Sequence, residues 1–167
     1  LKVLEDAVDE QRDVIDERKD IWEEEKEAWE DQIDVQKETL EVAQDSVKEA
    51  KKTLNALKKT RDGEVDVAEG RAEIAEASLE AAQEALKREK ILGRDEFDAS
   101  FRAAKERVKA AEQALQLARE NVVKVKREYQ AQIDAQEEIV IAAEEQVDAQ
   151  KDALDDLRKA YDKRKKI

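Results

Sequence analysis

The chain has 167 residues, of which 46% are charged and 4% aromatic, with no Pro, three Gly and a net charge of −13. It contains no His, Cys or Met, which excludes imidazole bases, thiolate nucleophiles, disulfides and the usual zinc sites. This composition with a helical apolar period belongs to a coiled coil or long helix, not a compact globule.

The charge is unevenly placed. Residues 1–50 carry 7 Lys/Arg against 19 Asp/Glu, a net of −12, and the other 117 residues are almost balanced. An acidic chain without a basic face is a poor partner for nucleic acid or an anionic membrane. No apolar run approaches the length of a membrane span, and no signal peptide is recognisable. The absence of Met even at position 1 points to a processed product or a segment of a longer protein.

The first predicted element is an amphipathic helix over residues 1–92. Its seam runs through Ile33, Gln36, Leu40, Ala43, Val47, Ala50, Leu54 and Leu57, then from Val65 through Ala68, Ala72, Ala75, Leu79 and Ala82 to Leu86. Alternating steps of three and four define a left-handed coiled coil. One extra residue enters at Leu57-Arg61-Val65, a stutter that locally unwinds the supercoil. Gly63, with Lys58, Lys59 and Arg61 before it and Glu64 and Asp66 after it, offers an alternative break that would give three helices. A Gly costs a helix interior only about 1 kcal/mol, and the seam resumes beyond it, so a continuous helix is the preferred reading.

The helix stops at residues 92–96. Lys87, Arg88 and Lys90 crowd its last turn, and Gly93 is placed to take the left-handed position that ends a helix. Asp95 is a candidate cap for a return helix over residues 95–167, with Glu96 and Asp98 in its first turn. The stop and start so close together predict an αα-hairpin. Arg88, Leu92, Gly93, Arg94, Glu96 and Phe97 would lie where the coil ends, as a small apolar patch rimmed by charge. That is the composition of a docking surface; the alternative is that Leu92 and Phe97 only close the end of the coil, as residues flanking a Schellman turn often do.

The second seam runs through Phe97, Phe101, Ala104, Val108, Ala111, Leu115, Ala118, Val122 and Val125. It continues through Ile133, Gln136, Val140, Ala143, Val147, Gln150, Leu154 and Leu157 to Tyr161. Its own stutter, Val125-Tyr129-Ile133, would lie opposite the first. A turn at Gly93 also sets Lys163, Arg164 and Lys165 against Glu25, Glu24 and Glu23, and Lys124 and Lys126 against Glu64 and Asp62. Tyr161 would fall between Trp22 and Trp29. About the first 20 residues would then overhang the shorter return arm, at roughly 1.5 Å per residue. Seam glutamines Gln36, Gln136 and Gln150, with Gln146 beside them, would fix the register or meet a further helix.

Nothing here reads as an active site. A two-helix coil buries little besides its seam, so its carboxylates lack the burial that separates pKa values for acid–base work. Ser46, Ser78 and Ser100 have no His partner, and Gly63 and Gly70 belong to no phosphate loop. The expected class is a non-enzymatic structural protein without metal or cofactor.

Residues 72–122, with an Ala/Leu/Glu/Gln repeat up to Leu86, Arg88 and Leu92 before the turn and Glu96-Phe97-Asp98 after it, resemble the α-helical hairpin of periplasmic adaptors. These are the membrane fusion proteins of efflux pumps and type I secretion systems. The resemblance implies a periplasmic homo-oligomer whose hairpins stand side by side and whose tips meet an outer-membrane channel. The tip departs from the family pattern in going directly from Gly93 to Asp95, without the usual longer loop. A self-assembling filament or scaffold coiled coil, or a stalk between globular domains, is the alternative reading.

Overall fold

The computed structural model describes residues 1–167 and contains two helices, α1 (Lys2–Ile91) and α2 (Ala99–Lys165). They pack against each other as an all-α hairpin. α1 runs through Gly63 and Gly70 without interruption, so the three-helix alternative is not the fold. A Cβ added at either glycine would meet nothing within 4 Å. Neither position therefore requires glycine for packing, and neither breaks the helix.

The buried side chains are those of the two expected seams. Residues 1–50 with 140–167 form one compact unit, and residues 51–139 form a second. In the first unit the core is built on Ile33, Leu154 and Tyr161, with Trp29, Leu40 and Leu157 packed on it. Tyr161 meets Trp29 at 6.1 Å between ring centroids, and Lys165 Nζ sits 4.3 Å above the Tyr161 ring. The aromatic pair is therefore Trp29 with Tyr161, while Trp22 is half-buried at the edge of the unit. In the seam, the Gln36 side-chain amide donates to Gln150 Oε1 and, at 3.3 Å, to the Gln150 carbonyl. The half-buried Gln36 amide thus donates across the seam to Gln150 instead of being left unpaired, as a buried polar group requires. Arg164 makes a forked contact of 3.1–3.2 Å with the Glu25 carboxylate, within two positions of the register expected from the turn.

In the second unit Ala68, Phe101, Ala104, Leu115 and Ile133 are buried, and Ile133 is only 2% exposed. Both stutters lie here, with Arg61 and Val65 half-buried on α1 and Val125 and Tyr129 half-buried on α2. The seams continue across both interruptions. The cross-helix charge pairs differ from expectation. Lys126 reaches Glu69 at 3.5 Å instead of Asp62, and Lys124 lies 4.0 Å from Glu128 on its own helix. Side chains lean toward the N-terminus of their helix. In an antiparallel pair Lys126 therefore leans toward the turn while Glu69 leans away from it, and the two meet.

Candidate functional site: the interhelical turn

The end of α1 is a complete Schellman motif. The Arg94 N–H donates to the Glu89 carbonyl at 3.1 Å and the Gly93 N–H to the Lys90 carbonyl at 3.0 Å, which satisfies carbonyls that a helix end otherwise leaves unpaired. Gly93 is the one residue with positive φ, at 75°, as its expected place required.

The start of α2 differs from the expected one. The helix begins at Ala99, not at residue 95, because residues 95–98 form a turn of their own. The Asp98 N–H donates to the Asp95 carbonyl at 2.9 Å. The Asp95 N–H donates to Asp98 Oδ2 at 3.0 Å, and the Phe97 N–H to Asp95 Oδ1 at 2.9 Å. The two aspartates lock the turn reciprocally, as Asx residues do. The first helical bond of α2 runs from the Arg102 N–H to the Asp98 carbonyl, so Asp98, not Asp95, is the cap. In consequence Phe97 lies off the helix and starts no seam. It is 91% exposed, and the seam of α2 opens with Phe101.

A polar clasp joins the two helices behind the turn. Arg94 Nη1 donates to both Glu89 carboxylate oxygens at 2.9 and 3.1 Å and to Ser100 Oγ at 3.2 Å. Ser100 Oγ donates to Glu89 Oε2 at 3.1 Å. The Glu89 side chain, only 17% exposed, is the centre of this group. Glu96 pairs with Lys105 at 3.5 Å across open solvent.

The six residues expected at the tip therefore divide by role. Gly93 and Arg94 hold the turn, and Glu96 is tied loosely to α2. Leu92 and Phe97 are exposed, and Arg88 is exposed beside them. Sequence reasoning missed Ile91, 77% exposed next to Leu92 at 65%, and it missed the clasp partners Glu89 and Ser100. The Ile91-Leu92 doublet outside the heptad seam was a readable sign of the first. For the clasp the sign was only that Glu89 and Ser100 lie within a residue of facing each other across the turn.

No helix of the chain is long and apolar enough to cross a membrane. No family model, curated protein or solved structure matches the chain.

Proposed function

We propose that the chain is a non-enzymatic structural arm, the coiled-coil hairpin of a periplasmic adaptor-like protein, which stands beside copies of itself and docks a protein partner through its tip. The observation that carries this reading is the exposure of Ile91, Leu92 and Phe97 on a turn whose backbone is pinned from both sides. Apolar residues that follow a Schellman turn frequently pack back onto the helix they end. Here the Schellman motif and the Asp95–Asp98 turn fix the apolar side chains outward, and a preorganised apolar patch with a charged rim is suited to docking. The partner class implied by the resemblance is an outer-membrane channel.

A photo-crosslinking residue at position 97 in cells should capture such a channel, and one at the exposed mid-arm position Ser46 should not. Equal capture at both positions, or none at 97, overturns tip docking. A scaffold coiled coil is the second reading, favoured by the apolar face of residues 1–21, which has no helix beside it.

A further inference from the structure

α2 ends where Arg164 meets Glu25, and residues 1–21 of α1 are exposed throughout. They are nevertheless patterned as a coiled coil. Leu1, Val8, Ile15 and Trp22 recur every seven residues, and beside them runs a second row, Ala7, Val14 and Ile21. Val8 and Ile15 are each 50% exposed, and Ile21 is 59% exposed. Helices with strict seven-residue apolar rows bury them against other helices.

The charges bordering the two rows differ in sign. On a helical wheel, Arg12, Lys19 and Lys26 border the row of Val8 and Ile15. Glu10, Glu17 and Glu24 border the row of Val14 and Ile21. Each basic residue follows an acidic one by two positions, three times in succession. Lys26 also has Glu30 at 4.0 Å on its own helix, a long contact with both partners about half exposed. From Ile33 onward, where α2 covers the seam, the basic row is replaced by the core residues Ile33 and Leu40. Arg12 and Lys19 thus lie in the stretch that α2 leaves uncovered, and Lys26 lies at its border.

We propose that residues 1–26 are a self-association surface that takes a second copy of this chain, parallel and in register. In a parallel pair the basic edge of one helix meets the acidic edge of the other. The stems of Lys19 and Lys26 then lie over the neighbour's Val14 and Ile21, and their charges reach Glu17 and Glu24. In an antiparallel pair like edges meet, acidic on acidic and basic on basic, which opposes association. Gln11 and Arg18 fall between the two apolar rows, polar layers that set register at a cost in affinity. This inference gives a surface to the side-by-side copies proposed above, and it is separable from tip docking because the two surfaces share no residue.

The test is sedimentation of the 167-residue chain across concentration. The chain should self-associate, and the triple variants E10K/E17K/E24K and R12E/K19E/K26E should each associate about tenfold or more weakly with unchanged helicity. Mixing the two variants in equal amounts should restore association, as should combining all six changes in one chain. Oxidised Val8→Cys chains should form a disulfide between copies. A chain that stays monomeric at every concentration overturns the proposal and assigns the face to another partner, such as a further helix of a longer chain. Association that is indifferent to the charge reversals, or an associated Val8→Cys chain that does not cross-link, also overturns it.

Discussion

Gly93 and Gly63 carry opposite expectations although both sit in open space. A Cβ at Gly93 would meet no atom within 4 Å, so the penalty of Gly93→Ala is purely conformational. Its φ of 75° makes that penalty about 1–2 kcal/mol of lost stability in urea unfolding. Gly63→Ala, inside α1 with nothing nearby, should instead stabilise by about 1 kcal/mol. A destabilising Gly63→Ala would mean that the stutter at Arg61 requires a yielding backbone. Burial ranks side chains in the same way. Ile133→Ala should cost about 2–4 kcal/mol because the residue is 2% exposed. Leu117→Ala, at 66% exposure, should change the midpoint by no more than about 0.5 kcal/mol.

At the level of the elements, the seams were readable residue by residue, because a period alternating three and four leaves only one face to bury. Both stutters were readable for the same reason. The start of α2 was not. Glu96, Phe97 and Asp98 have the composition of a first helical turn, and only the reciprocal bonds of Asp95 and Asp98 show that they form a separate turn. That local competition between Asx bonding and helix is invisible to periodicity, and it is why Phe97 was placed on the seam. Charge partners were likewise only partly legible, since side-chain lean carries Lys126 to Glu69. Gln36 and Gln150 supply a test of what a polar layer does. Replacing both with Leu should raise thermal stability while relaxing register. Cysteine pairs one heptad out of register should then cross-link detectably in that variant and should not with the glutamines in place. Unchanged cross-linking would show that the turn alone sets the register.

For the molecule as a whole, the accessible area is 12962 Å² for 19.1 kDa, against roughly 8,400 Å² for a compact monomer of that mass. Twelve hydrophobic residues make up the buried core, so stability is spread over thin layers. Electrostatics should then be visible in bulk. The net −12 of residues 1–50 outweighs the few exposed cross-helix pairs, each worth about 0–1 kcal/mol. Thermal melts should therefore move upward by a few degrees as salt rises from about 0.01 to 0.15 M. A downward shift would show that ion pairs outweigh self-repulsion.

The turn at Gly93 also has a consequence for the order in which the chain folds. Glu89 and Ser100 are separated by 11 residues, Gln36 and Gln150 by 114, and Glu25 and Arg164 by 139. Forming the last pair first would require closing a very large loop, whereas closing the first pair and advancing layer by layer adds only a short extension each time. The clasp of Glu89, Arg94 and Ser100 is thus the natural nucleus of a zipper. Strain at Gly93 should slow folding more than it speeds unfolding, and damage near Tyr161 should do the reverse.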